Sequence, residues 1–130
     1  MFKGEIKMPK WVMLAKAKVL NVNFSEDEKT IEDAFKRICE PVCRVPGILV
    51  RTNSLVVGDI TYTLGIAENK IEITFFKDGK ENRCSYFVSN GKYSYKAPKD
   101  TIATNFKPLE SLEFDYETIL NNLMDIALSE

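Results

Sequence analysis

The chain contains no histidine. That absence removes the side chain most often used as a general base near neutral pH, together with the commonest metal-binding ring. Serine–histidine triads, zincin motifs and histidine-containing zinc sites are excluded with it. Neither glycine-rich phosphate loop, Gly-x-x-x-x-Gly-Lys-Ser/Thr or Gly-x-Gly-x-x-Gly, occurs, and no segment has calcium-loop spacing. Long apolar runs are missing too. The longest near the N-terminus, Trp11 to Ala15, is broken by Lys16 and Lys18, too short for a signal segment or a membrane span. The expectation is a soluble, cytoplasmic protein without membrane contact.

Cysteine is scarce: Cys39, Cys43 and Cys84, an odd number, without a secretory signal. This argues against a secreted disulfide framework. Asn23-Phe24-Ser25 fits a glycosylation acceptor, but without such a signal the match is read as chance. Three thiolates and a carboxylate could in principle hold zinc, and Cys39 and Cys43 lie four apart, yet tetrahedral structural sites usually draw on paired cysteines or histidines and Cys84 has no such partner. Cys39 and Cys84 fall on apolar stripes and are expected to be buried small hydrophobes. Cys43, beside Arg44, is the one candidate reactive thiol, and no histidine can activate it. The expectation is no metal, no cofactor and no catalytic residue.

What is present fits one globular domain spanning 1–130. Of 130 residues 45% are hydrophobic and 28% charged, too apolar for a disordered chain. Net charge is -1, so no global field draws the chain to nucleic acid or an anionic membrane. Charge is nonetheless uneven. Between Lys77 and Lys99 six basic residues face Asp78 and Glu81, whereas from Asp100 onward only Lys107 opposes seven carboxylates.

Phe2 to Met8 alternates apolar and polar residues, the pattern of a half-buried strand, and Pro9 suits the start of a helix through Trp11, Leu14 and Lys18; residues 11–24 could also be a strand. Ser25 with Glu28 has capping-box spacing. Ile31, Ala34, Phe35, Ile38 and Cys39 then form a helical stripe that Pro41 ends. From Ile48 the period becomes two, with one or two strands before Gly58-Asp59 and a break near Asn53-Ser54. Asp78-Gly79 and Asn90-Gly91 are strong two-residue hairpin turns, and Glu68-Asn69 is a weaker one.

The turns make mutually checkable pairs. Asn90-Gly91 sets Val88 against Tyr93, Tyr86 against Tyr95 and Cys84 against Ala97. Asp78-Gly79 sets Ile73 against Cys84 and Ile71 against Tyr86. Glu68-Asn69 sets Ile66 against Ile71, Leu64 against Ile73 and Tyr62 against Phe75. All lie on one apolar face, which a one-residue slip would destroy. Residues 98–108 read as irregular, and Asp115 caps a final helix with Tyr116, Ile119, Leu120, Leu123, Ile126 and Ala127 on one side. The expected class is α+β: an antiparallel β-meander of about five to six strands curved around a long C-terminal helix, preceded by an N-terminal strand and one or two helices. This element order resembles helix-grip folds, a resemblance of topology that carries no motif and no function.

Two faces offer candidate sites. On the wet face the register exposes Phe76 and Phe87 near Lys77, Arg83, Lys92 and Lys96. Aromatic anchors with surrounding charge suit a protein partner. The same types can hold single-stranded nucleic acid, which the acidic overall balance ranks second. The dry face carries Tyr62, Tyr86, Tyr93 and Tyr95, residues that would also suit a pocket for a small aromatic or apolar ligand. The leading expectation is a non-enzymatic binding or adaptor domain engaging a protein through the exposed sheet face or a sheet edge. A homo-oligomer is compatible with the chain.

Overall fold

The computed structural model describes residues 11, 23–89, 92–100, 107–108 and 115–130, the pair 107–108 by backbone alone. A 3-10 turn, Phe24–Asp27, leads into helix α1, Glu28–Cys39. Seven strands follow: β1 Ile48–Val50, β2 Ser54–Val57, β3 Ile60–Ile66, β4 Lys70–Lys77, β5 Lys80–Ser89, β6 Lys92–Lys96 and the two-residue β7 Lys107–Pro108. Helix α2, Tyr116–Leu128, closes the chain. The sheet order is β1-β2-β3-β4-β5-β6-β7, antiparallel throughout. The expected strand Phe2–Met8 and most of the expected first helix lie outside the described residues. Trp11 is helical and 70% exposed, so it does not belong to an inward stripe.

The expected register holds across the meander. Val88 pairs with Tyr93, Tyr86 with Tyr95, Ile73 with Cys84, Ile71 with Tyr86, Ile66 with Ile71 and Leu64 with Ile73. Tyr62 and Phe75 meet as rings 5.0 Å apart. Asp78 and Gly79 both take positive φ, 56° and 72°, the backbone a two-residue I′ turn requires. Asn90-Gly91 lies outside the described residues. At Glu68-Asn69 the chain turns without positive φ, closed by the Ala67 amide donating to the Lys70 carbonyl at 2.9 Å. Gly58, at φ 62°, opens the β2–β3 turn, and Val57 pairs with Ile60.

Alternation fills the space between sheet and helices. Ile71, Ile73, Phe75, Cys84 and Tyr86 from the sheet, and Ile119, Leu120 and Leu123 from α2, are fully buried in one core. Ile31, Ala34, Phe35 and Cys39 bring α1 into the same cluster. Fully burying such an aliphatic chain contributes roughly 1.5–3 kcal/mol, so the helix–sheet contact dominates local stability. Asp115 caps α2 as expected, its carboxylate accepting from the Glu117 amide at 3.1 Å and the Thr118 hydroxyl at 3.2 Å.

Two local expectations are corrected. The Ser25–Glu28 capping box does not form, because the chain enters α1 through a 3-10 turn capped by Asn23, whose side-chain oxygen accepts from the Ser25 amide at 3.1 Å. Phe24 is thereby turned into the core, and its amide donates to the Glu68 carbonyl at 2.8 Å. Pro41 does end the α-helix, yet the backbone coils on through a 3-10 turn, Glu40–Val42. Within the stretch expected to be irregular, Lys107–Pro108 pairs with Lys92 and Tyr93.

Turn strain gives a direct check. A side chain at Gly79 must adopt left-handed backbone, so Gly79→Ala should cost about 1–2 kcal/mol. At Gly65 an added Cβ would meet only the flexible Glu72 side chain, at an ordinary 3.4 Å. Urea unfolding should therefore show Gly65→Ala within about 0.5 kcal/mol of wild type; equal losses at both sites would refute the turn assignment.

Candidate functional site

The register sorts the outward face into cross-strand rows. Lys70, Phe87 and Ser94 share one row, and Gly65, Glu72, Ser85 and Lys96 the next. Then come Ser54, Thr63, Thr74 and Arg83, with Arg51 at the β1 end, its amide donating to the Ser54 carbonyl at 2.9 Å. The last row holds Leu49, Val56 and Thr61 on β1–β3, with Phe76 and Glu81 paired on β4–β5.

This order separates residues that sequence reasoning grouped together. Phe76 and Phe87 sit at opposite ends of the face: Phe87 pairs with Lys70, and Lys70 lies six residues from Phe76 along β4, roughly 20 Å of extended chain. Phe87 is half-buried, with the Lys70 ammonium 5.7 Å from its ring centre. Phe76 is 63% exposed. Lys77 has the parity of Phe75, not Phe76, and its ammonium donates to the Glu130 carbonyl beyond α2. Arg83 is held by Glu81, its Nη2 and Nε at 2.6 and 2.8 Å from one carboxylate oxygen. Lys92 and Lys96 are on the outward face, Lys96 opposite Ser85. Ser85 and Ser94 are buried although they point outward, so this face is less wet around β5 and β6 than its composition suggests.

The apolar end was missed. Leu49 is 48% exposed, and with Val56 and Phe76 it forms the aliphatic and aromatic part of the last row. Gly58-Asp59 read as a two-residue turn would have placed Val56 opposite Thr61. The edge offers less than the face, because β1 spans three residues and β7 two.

On the dry face the tyrosines are packed with protein. Tyr62, Tyr86 and Tyr93 are buried, and Tyr95 is half-buried. Tyr86 stands 5.0 Å from Tyr95, 5.6 Å from Tyr93 and 6.1 Å from Phe24 between ring centres. The Tyr95 hydroxyl accepts from the Asn122 amide of α2 at 2.9 Å. Tyr116, on α2, donates its hydroxyl to Asp27 at 2.6 Å, tying the two helices together. Its burial, and the bond to that carboxylate, push the phenol far above its ordinary range.

Cys39 and Cys84 are buried and Cys43 is exposed, so the two thiols flanking Pro41 share no environment. Burial raises Cys39 from 9.0 to about 11 and Cys84 from 9.0 to about 12. Among the described residues no three cysteine or carboxylate side chains gather where a metal ion could be held. Nor is any described helix long and apolar enough to cross a membrane. Comparisons with protein-family models, curated proteins and solved structures find no match to this chain.

Thiol chemistry tests these placements. Native protein should give one rapidly reacting thiol, Cys43, and denatured protein all three. Because both buried thiols titrate higher when folded, the stability they contribute is complete below about pH 9 and is lost as pH rises through 11 and 12. Each should lower unfolding free energy by about 1.4 kcal/mol per pH unit once ionised in the unfolded chain. Cys39→Ala/Cys84→Ala should reduce that slope between about pH 9 and 10, below the range where the raised Tyr116 phenol adds its own; an unchanged slope there would show that the thiols do not cause it.

Proposed function

We propose that this chain is a non-enzymatic binding module that engages a protein partner through the outward face of its sheet. The observation that carries this reading is the apolar end of that face. Leu49, Val56 and Phe76 project from the three strands β1, β2 and β4 on the side away from both helices, and Leu49 and Phe76 are open to solvent. Isolated exposed hydrophobics need no explanation, but these lie on one cross-strand row of a hydrogen-bonded scaffold, Leu49 beside Val56, with Thr61 of β3 between Val56 and Phe76. An exposed aromatic residue with aliphatic ones further along the same row can supply a large share of interface energy without ordering a flexible loop.

The reading as a small-ligand carrier has less support, since the tyrosines it would use pack against Phe24, α2 and one another. Single-stranded nucleic acid would need stacking platforms along a basic track. Here one phenylalanine is half-buried under Lys70, and Arg83 is held by Glu81.

The test replaces the two exposed anchors, Leu49→Ser with Phe76→Ser. Exposed as they are, these changes should shift unfolding free energy by no more than about 0.5 kcal/mol each. Immobilised wild-type chain should retain from an extract of its native source a protein that the double variant releases, with a loss of roughly 2 kcal/mol or more in binding free energy. Equal retention by both chains would contradict the assignment.

A further inference from the structure

Among the described residues the charges are segregated by layer. On the outward sheet face five basic side chains, Arg51, Lys70, Arg83, Lys92 and Lys96, stand against Glu72 and Glu81, a surplus of three. Both carboxylates are already engaged, Glu72 with Lys70 at 3.4 Å and Glu81 with Arg83 at 2.6 Å. The helical layer has the opposite sign. Residues 115–130, the α2 segment, carry four acidic side chains and no basic one, while residues 26–40 carry six acidic against three basic. The described residues thus present a cationic sheet face behind a helical layer of net negative charge.

The apolar row and the cationic surplus occupy the same surface. Arg51 and Arg83 end the row adjoining Leu49, Val56 and Phe76, four strand spacings apart, roughly 19 Å, with Ser54, Thr63 and Thr74 between them. We infer that the partner is an acidic protein segment bearing apolar side chains, which seat on Leu49, Val56 and Phe76 while its carboxylates face Arg51 and Lys96. This rests on the sheet-face reading above and names the chemistry of its partner. Charge complementarity selects the partner: a basic segment would be repelled by the surplus, and the anionic helix layer orients the molecule with its sheet towards an acidic surface. Aliphatic Leu49 and Val56 fit side chains better than bases, which sets a protein ahead of a nucleic acid.

The probe is a fluorescently labelled peptide alternating leucine and glutamate around one phenylalanine, read by anisotropy with the full chain. Its controls are the same peptide with glutamine, the same with lysine, and an oligothymidine. The glutamate peptide should bind tightest, weaken as salt rises, and lose roughly tenfold in affinity against Arg51→Glu/Lys96→Glu. Leu49→Ser/Phe76→Ser should lose it as well. Binding that needs Leu49 and Phe76 but is equal for glutamate, glutamine and lysine peptides overturns the acidic partner and leaves the sheet-face reading standing. Glutamate-peptide binding unaffected by Leu49→Ser/Phe76→Ser overturns both. Preference for oligothymidine, or no binding of any peptide, overturns the inference.

Discussion

Everything else in this structure depends on the apolar stripe of α2 lying against the inner face of the β-meander. Ile119, Leu120 and Leu123 are buried there against Ile71, Ile73, Cys84 and Tyr86, and α1 closes the remaining side. This contact commits one face of the sheet to the core. Strand alternation then sends every second side chain outward, so the composition of the outer face is decided by the register that the core demands. Leu49, Val56 and Phe76 are thus not loose surface residues. Their positions are locked by Val50, Leu55 and Phe75, their inward-facing neighbours.

Around that contact the polar groups hold geometry more than they add stability. Asp27 accepts from Tyr116 and Asp115 caps α2, while Phe24 ties the helix entry to the β3–β4 turn through Glu68. The Arg37–Glu117 bridge, at 2.7 Å, joins the two helices on the surface, where such a pair contributes about 0–1 kcal/mol. These links fix the angle at which the helices meet the sheet. The sheet in turn is a rigid plate whose outer face has little conformational entropy to lose on docking.

The meander was legible in the sequence because three turns constrained one another: a wrong register at any of them would have put Ile71, Ile73 or Tyr86 into water. The candidate surface was legible only in part. Alternation puts Phe76 and Phe87 on one face, and the Asp78-Gly79 register that sets Ile71 against Tyr86 also sets Phe87 against Lys70, six positions along β4 from Phe76. Grouping the two by face alone passed over a separation the turn already fixes. Lys77 was grouped with its neighbour Phe76, although adjacent strand residues point to opposite faces. Leu49 was invisible because the β1–β2 register depends on Arg51 to Ser54, a connection with no glycine to mark it. The capping box failed for a related reason. Asn23 two residues before Ser25 takes the Ser25 amide that Glu28 would accept from in a capping box, and local spacing alone does not say which side chain wins.

The central claim is that the two sheet faces have divided roles, one sealed as core and the other presented to a partner. Hydroxyl-radical footprinting of the chain alone and in its captured complex tests this most directly. Phe76 and Leu49 should be oxidised in the free chain and protected in the complex, while Tyr86 and Leu120 stay protected in both. Equal oxidation of Phe76 in the free and bound states would contradict the account.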